Sequence, residues 1–321
     1  MKYKKIAITG IAGFIGSHFT RMCLSLGYDV VGIDKLTYAA DVNHVNEFKK
    51  HPNFKFIQVD INDINFNKLF LSDREIIINF AAESHVDNSI NNCKEFIHSN
   101  VYGVVEILNL CRELHIPLLH IGTDEEYGDI EEGSHTEEDI LNPSNPYAAS
   151  KAAASLFIQS FARTYKTRYQ IIRMTNNYGI EQHPEKLIPK AIGCLFRGEL
   201  IPLHNDGNPK RNWLNVFDSV EGILTVLEYG NMNEVYNMNG NCELKNITTV
   251  SQIINEYFKY RLPKPAMEYC DFSVSRPGQD IRYSLNDDKL RSLGWSPKIE
   301  FDEALKTIVS YERSRLHNKI S

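Results

Sequence analysis

The residues best able to do chemistry fall in two short stretches. Tyr147-Ala-Ala-Ser-Lys151 sets a phenol and an ammonium four residues apart, which on a helix places them on one face. A free tyrosine titrates near 10 and is a poor base at neutral pH, and a fixed cation favours phenolate, each tenfold gain in acidity corresponding to about 1.4 kcal/mol. A phenol tuned in this way can take a hydroxyl proton while hydride leaves the same carbon. The spacing recurs at Tyr260-Arg-Leu-Pro-Lys264, where Pro263 breaks the helix and with it the shared face. The first match follows a stop from which a helix can start, Asn142-Pro143-Ser144-Asn145-Pro146. The second stretch, Gly122-Thr123-Asp124-Glu125-Glu126-Tyr127-Gly128, offers a hydroxyl followed by carboxyls. Two carboxyls in different surroundings can hold different pKa values and act as acid and base. A solvated, acid-rich loop from Asp124 to Asp139 accounts for the same residues without chemistry.

A third pattern suits phosphate. Thr9-Gly10-Ile-Ala-Gly13-Phe14-Ile15-Gly16 has the spacing G-x-x-G-x-x-G between a strand and a helix. Glycines permit a tight turn and close backbone approach, and the helix N-terminus offers free N–H groups to a pyrophosphate. Asp34 ends the second strand, 18 residues after Gly16. A carboxylate there accepts hydrogen bonds from ribose hydroxyls and repels a 2′-phosphate, which favours NAD over NADP. The adjacent Lys35 would tolerate a phosphate. Asp60, ending the third strand, either reaches the adenine edge or caps a helix.

Positioning these groups requires alternating strands and helices. Apolar runs predict strands at 6–9, 30–34, 54–59, 76–80, 118–123 and 169–173, with helices at 15–26, 96–114 and 147–165. Buried runs alternating with helices argue for a parallel sheet covered on both sides. Ligands then bind beyond the carboxyl ends of the strands, where Thr123 and the carboxyls after it lie. The second half predicts helices at 184–197, 218–229, 248–260 and 301–316, and a strand at 235–238 that could return to the sheet. The expected fold is α/β, a Rossmann-type doubly wound parallel sheet with a smaller C-terminal α/β substrate-binding domain. The expected division is an NAD-binding unit at 1–176, with a returning segment near 212–240, and a substrate unit at 177–321.

Composition agrees with this frame. The chain has 321 residues, 42% hydrophobic and 24% charged, which suits two joined domains and excludes a disordered chain, a collagen-like fibre or a membrane bundle. A net charge of −6 disfavours nucleic-acid and anionic-membrane partners, which need a positive field. Neither a transmembrane run nor a secretory h-region is present. The six cysteines form no C-x-x-C pair, so reduced thiols in a cytoplasmic protein are expected. The eleven histidines form no H-E-x-x-H or Cys/His cluster, so no metal site is expected.

The glycine turn, the Tyr-x-x-x-Lys pair and the strand order together resemble an extended short-chain dehydrogenase/reductase. More finely, the chain resembles the nucleoside-diphosphate-glucose 4,6-dehydratases, the dTDP-glucose and UDP-glucose enzymes, over nearly its whole length. The blocks that carry this are Asp34-Lys-Leu-Thr-Tyr-Ala39, Ala81-Ala-Glu-Ser-His-Val-Asp87, Thr123-Asp-Glu125, Thr175-Asn-Asn-Tyr-Gly179, Pro184-Glu-Lys-Leu-Ile-Pro189 and Arg276-Pro-Gly278. The resemblance implies an internal redox cycle on NAD. Tyr147 removes the glucose 4-hydroxyl proton as C4 is oxidised, Lys151 holds the nicotinamide ribose and lowers the tyrosine pKa, and Thr123 binds the 4-oxygen. The new ketone acidifies the C5 proton, Glu125 takes it, and Asp124 protonates the departing 6-hydroxyl. Hydride then returns to C6 and a proton to C5, leaving a 4-keto-6-deoxy sugar nucleotide, a step of deoxysugar (rhamnose-type) biosynthesis.

By the same resemblance Thr37, Ile61, Ala81 and Ala82 join the cofactor contacts, and Ser84 faces the hexose. Asn177, Glu185, Lys186 and Leu187 match sugar and phosphate contacts, and Asn215 and Tyr283 line the nucleotide pocket. Arg211 and Arg276 are the diphosphate clamps, since a guanidinium matches phosphate in bidentate fashion. His85 is equally a packing residue or a substrate contact. Gly122 stands where Ser is usual, Glu126 where Val is, and Asn212 where Asp is; Glu126 is expected to raise nearby pKa values by like-charge repulsion. Asn88 stands where bacterial dTDP-glucose enzymes commonly have Arg, and Val-Asp-Asn-Ser matches plant-type UDP-glucose dehydratases, which tilts the substrate towards UDP-glucose. A homodimer through the two long helices is implied, with Phe157, Ile158 and Phe161 as candidates that core packing explains equally. A sugar-nucleotide 4-epimerase or a UDP-glucuronate decarboxylase would share the cradle and the Tyr–Lys pair but need no acid and base after Thr123. A non-catalytic NAD-binding protein of this fold would often have lost the Tyr or Lys.

Overall fold

The computed structural model describes residues 1–318. The described strands are β1 (Lys5–Thr9), β2 (Asp29–Asp34), β3 (Phe54–Gln58), β4 (Ile76–Asn79), β5 (Leu118–Thr123), β6 (Tyr169–Met174), β7 (Asn176–Tyr178), β8 (Ile201–Pro202), β9 (Lys210–Asn215), β10 (Glu234–Met238), β11 (Cys242–Lys245) and β12 (Cys270–Asp271). Seven of them make one sheet in the order β3-β2-β1-β4-β5-β6-β10, and every pair in it is parallel. Strand side chains alternate between faces, and each face is covered. Ile6, Ile8, Ile76 and Ile78 pack with Phe19 and Cys23 of the helix Phe14–Ser25 and Val220 and Ile223 of the helix Val216–Tyr229. Ala7, Val31 and Ile77 pack on the other face with Ile107 of the helix Gly103–Leu114 and Ala154 and Ile158 of the helix Pro146–Tyr165. Burial on both faces is why these strands read as unbroken apolar runs.

A third core joins β7, β9 and β11 to the helices Leu187–Arg197, Asn246–Tyr257 and Phe301–Asn318 through Tyr178, Ile192, Trp213, Ile253 and Leu305. The segment expected to return near 212–240 divides. Strand β10 and the helix before it join the large sheet, while β9 belongs to the β11-β9-β7 sheet. The last three residues of the expected 177–321 unit lie outside the described residues.

The long helix predicted at 96–114 is unbroken but not α-helical throughout. A short turn, Lys94–Phe96, leads into a π-helical stretch, Ile97–Tyr102, and only then into Gly103–Leu114. Asn100, buried in the π stretch, accepts from the Glu83 N–H at 2.8 Å and donates to the Ser150 hydroxyl at 2.9 Å. The helix predicted from 184 begins at Leu187, which leaves Glu185 and Lys186 on the preceding loop. The helix predicted to 260 ends at Tyr257, and Tyr260 sits at φ 61°, so the second Tyr–Lys spacing has no helical face. Among the described residues no helix is long and apolar enough to cross a membrane, and no group of His, Cys, Asp or Glu is arranged to hold a metal ion.

Candidate active site

Strand order reverses between β1 and β4, and the crevice beyond their carboxyl ends is where such sheets take ligands. The glycine turn sits there. Gly10 has φ +73°, and a Cβ on it would lie 2.7 Å from the Ala81 nitrogen. A Cβ on Gly16 would lie 2.2 Å from the Gly10 carbonyl. The helix Phe14–Ser25 starts with no side-chain cap, so its first N–H groups face the crevice unclaimed. Gly10, Gly13, Asp34, Lys35, Thr37, Asp60, Ile61, Ala81 and Ala82 line one cleft together. Asp34 accepts from the Ala12 N–H at 2.9 Å and the Leu36 N–H at 2.8 Å, and burial pushes its pKa up. Lys35 reaches Asp60 at 3.2 Å, so its charge is engaged by a carboxylate. Asp60 caps the Ile61–Asn67 turn at 3.0 Å while lining the same cleft. A cradle that a Cβ would fill, with a carboxylate at the far strand end, fits a dinucleotide.

A second cleft of about 330 Å³ adjoins it, lined by Phe14, Ile15, Gly16, Thr123, Asp124, Glu125, Tyr147, Lys151, Asn177, Glu185, Lys186 and Leu187 among others. Thr123 ends β5 and caps a single 3₁₀ turn, Asp124–Glu126. The Thr123 hydroxyl donates to Asp124 Oδ1 at 3.0 Å, while Asp124 Oδ2 is buried with no partner. Burial, then the Glu125 charge, push Asp124 up to about 8 against the Thr123 hydrogen bond. At neutral pH this carboxyl is therefore an acid with a proton to give. Glu125 Oε2 accepts from Asn145 Nδ2 at 3.1 Å and from the Tyr283 hydroxyl at 3.4 Å. Asn145 also caps the helix Pro146–Tyr165, accepting from the Ala148 N–H at 2.9 Å. One side chain thus ties Glu125 to the helix that presents Tyr147.

Glu126 does not face the cleft. It is fully buried beneath the turn, paired with Arg173 at 2.8 Å. The expected like-charge effect of Glu126 falls on Tyr147 and Tyr127, while on Asp124 it comes from Glu125. The expected effect of Lys151 on Tyr147 is also different. Lys151 donates to the Ile121 carbonyl at 2.5 Å and lies 3.5 Å from His120 Nε2. Burial raises the Tyr147 pKa, Glu125 adds to this, and a hydrogen bond with Thr123 opposes it. Burial lowers Lys151 to about 8, opposed by the Glu126 charge.

A third cleft opens beside these, lined by Ser84, His85, Glu185, Lys186, Leu187, Arg211, Arg276 and Tyr283 among others. Arg276 grips Asp87 in bidentate fashion at 2.6 and 2.9 Å. Lys186 donates to the Ser84 carbonyl at 2.8 Å. Arg211 lies 4.5 Å over the Tyr283 ring and donates to the Asp280 carbonyl at 3.1 Å. His85 starts the Val86–Asn91 helix and lines the cleft, with its pKa lowered by burial. Asn177 also braces the backbone, donating to the Thr175 carbonyl at 3.0 Å. Asn215 stands apart from the nucleotide pocket expected of it. It is buried, caps the helix Val216–Tyr229 by accepting from the Phe217 N–H at 3.0 Å, and lines none of the three clefts. Asn145 and His120 were not singled out from the sequence. His120 left a signal, a polar residue inside the otherwise apolar run Leu118-Leu-His-Ile121.

Known proteins resemble this chain in sequence and fold. A family model described as GDP-mannose 4,6 dehydratase matches residues 7–308. The low-salt glycan biosynthesis protein Agl12 of Haloferax volcanii is 39% identical over 95% of this chain and 97% of its own length. The dTDP-glucose 4,6-dehydratase of Haemophilus influenzae is 38% identical over 95% of this chain and 97% of its own. The crystal structure of DesIV, a dTDP-glucose 4,6-dehydratase from Streptomyces venezuelae with NAD and TYD bound, matches with a TM-score of 0.92 at 36% identity and covers 98% of each chain. With its parallel sheet, its glycine cradle and a match that spans residues 7–308, the chain belongs to the GDP-mannose 4,6-dehydratase family.

Proposed function

We propose that this protein is an NAD-dependent hydro-lyase that removes water from a nucleoside-diphosphate glucose to give the 4-keto-6-deoxy sugar nucleotide. The observation that carries the reading is the Thr123-Asp124-Glu125 turn, which faces the cleft that Tyr147 and Lys151 also line. An epimerase needs a base at one hydroxyl; elimination needs a second base and an acid, and this turn supplies both. NAD, when bound in the glycine cradle, supplies a two-electron oxidation at C4 and its return at C6, so the cycle has no net redox change.

The chain's own groups divide the proton work. Tyr147 would take the 4-hydroxyl proton, with Thr123 Oγ1 on the same oxygen, the positive charge of the nicotinamide offsetting the burial that raises the phenol's pKa when NAD is bound. Lys151, as a cation, would hold the nicotinamide ribose when NAD is bound. Once C4 is a carbonyl, Glu125 removes the acidified C5 proton. Asp124 releases its proton to the 6-hydroxyl, which departs as water. Glu125 then returns a proton to C5, and the proton taken from the 4-hydroxyl passes from Tyr147 through solvent to Asp124, so each group regains its starting state. Arg276, Arg211 and Lys186 would hold the diphosphate, and Arg276 would exchange Asp87 for phosphate oxygens to do so. Residues 1–176 with the returning β10 would carry NAD, and the remainder the sugar nucleotide.

Asn88, in Val86-Asp-Asn-Ser89, favours UDP-glucose over dTDP-glucose as the substrate. The test is incubation with each nucleotide sugar without added reductant, with products identified by mass and NMR. Loss of water at constant total NAD is expected; inversion at C4 without loss of mass would make the protein an epimerase. A homodimer is proposed through the helix Pro146–Tyr165, where Leu156 and Phe157 are exposed while Ile158 is committed to the core. Sedimentation at monomer mass across micromolar concentrations would refute it.

A further inference from the structure

Glu126 is a buried acid that the elimination chemistry does not use, and it touches every element that does. We infer that Glu126 is a positioning residue that locks the turn bearing Asp124 and Glu125 to the helix bearing Tyr147 and Lys151. The inference rests on the dehydratase reading. Oε1 of Glu126 accepts from the Thr123 N–H at 3.0 Å, which closes a capping box around the turn. Oε2 accepts from the Ser155 hydroxyl at 2.6 Å and from Arg173 Nε at 2.8 Å. Ser155 follows Lys151 by one helical turn, on the same face. Arg173 lies across from Gly122 in the β5–β6 register. Its guanidinium donates to the Tyr127 hydroxyl at 2.7 Å, and that hydroxyl donates to Asn237 of β10 at 2.9 Å. Glu126 and Arg173 are 0% and 2% exposed, so the network exchanges little with solvent.

Gly122 makes room for the device. A Cβ there would lie 2.4 Å from Glu126 Oε1. The two departures from the usual family residues, Gly122 and Glu126, are therefore one change: the missing side chain admits the carboxylate. Both partners of the lock matter to catalysis because acid, bases and sugar must hold their geometry within fractions of an ångström. The carboxylate is also the acid that supports the Lys151 ammonium. The other groups at Lys151 are His120 Nε2 and the Ile121 carbonyl. Tyr147, on the same helix, faces Asp124 and Glu125 and also feels the Glu126 charge, so Glu126→Gln would lower its pKa as well.

The test is Glu126→Gln in the full chain with the substrate that the wild type dehydrates. A drop in kcat on the order of tenfold or more is expected, since a 1 Å misplacement can cost about a hundredfold. KM for the sugar nucleotide should stay within about twofold, because the clamps on the substrate do not touch Glu126. The basic limb of the kcat–pH profile should move to lower pH, because Lys151 loses the charge that opposes its deprotonation. Gly122→Ala should reproduce the kcat loss, and Glu126→Asp in that background should restore part of it by withdrawing the carboxylate from the new methyl. If Glu126→Gln fails to fold, Ser155→Ala decides: a fall in kcat at constant KM supports the lock, and an unchanged kcat overturns it. Unchanged kcat and pH profile in Glu126→Gln, with only a lower melting temperature, would also overturn it. A wild type that binds NAD but dehydrates no nucleotide sugar would instead overturn the dehydratase reading, and this inference with it.

Discussion

Replacing Asp124 with Asn separates its chemistry from its place in the fold. The folded chain raises this carboxyl from 3.8 to about 8, through burial first and the Glu125 charge second. That rise corresponds to on the order of 6 kcal/mol, at about 1.4 kcal/mol for each factor of ten in acidity. Because the folded value lies above the unfolded one, the associated stability is complete below about pH 4, declines as pH rises, and is spent by about pH 8. Water entry and relaxation reduce the full figure, so a loss of about 2–3 kcal/mol is the working expectation. Asn cannot ionise and can still accept the Thr123 hydroxyl bond seen at 3.0 Å. The variant should melt close to wild type at pH 5 and a few degrees above it at pH 8.5, since about 1 kcal/mol moves the melting point by a few degrees in a chain of this size. The same variant should still form NADH on substrate addition but release little dehydrated product. In the wild type, water loss should fall by more than tenfold per pH unit above about pH 8, as the acid form of Asp124 and the Lys151 ammonium disappear together. Melting curves across pH and product mass spectra measure both effects. A melting difference that does not vary with pH, or normal dehydration by Asp124→Asn, would refute the acid assignment.

Glu125→Gln should stop solvent deuterium from entering C5 while still allowing NADH to form; an NMR spectrum with wild-type exchange would reassign the base. Gly16→Ala places a methyl 2.2 Å from the Gly10 carbonyl, so NAD affinity should fall at least tenfold by fluorescence titration, in line with a cradle that needs close backbone approach. Asp87→Asn releases Arg276 from a partly buried bidentate pair. KM for the sugar nucleotide should drop by about threefold with kcat nearly unchanged, because substrate phosphate no longer competes with a carboxylate; a higher KM would show that Asp87 orients Arg276 rather than occupying it.

The large sheet was legible because burial on both faces writes itself as continuous apolar runs, and six of its seven strands lie where such runs occur before residue 175. The seventh, β10, shows the same pattern in Val235-Tyr-Asn-Met238. The small sheet was not legible. Asn176-Asn-Tyr178 and Lys210-Arg-Asn-Trp-Leu-Asn215 carry polar residues at most positions, yet β9 is buried from Arg211 to Asn215. Its polar side chains find partners in the fold, as Asn212 does on the Tyr283 carbonyl at 3.0 Å, and no periodicity records that. The π stretch at Ile97–Tyr102 is hidden for a related reason: within it Asn100 turns inward to the Ser150 hydroxyl at 2.9 Å, and no change of apolar pattern marks it.

The site shows the same boundary more sharply. Residue types announced an acid and a base after Thr123, but three acids stand in a row there and the sequence treats them alike. A 3₁₀ turn has about three residues per turn, so successive side chains leave it about 120° apart. Asp124 is therefore aimed into the cleft beside Thr123, Glu125 toward Asn145 and Tyr283, and Glu126 down onto Arg173. One backbone turn makes a proton donor, a carboxylate facing the substrate side and a structural anion from three nearly equivalent residues. The sign that one acid would turn inward was present elsewhere, in Arg173 within the buried strand β6. A guanidinium buried among apolar strands requires a carboxylate partner, since an unpaired charge there is far too costly. With Gly122 opposite Arg173 and lacking the atom that would block Glu126, the partner is specified by sterics as much as by charge.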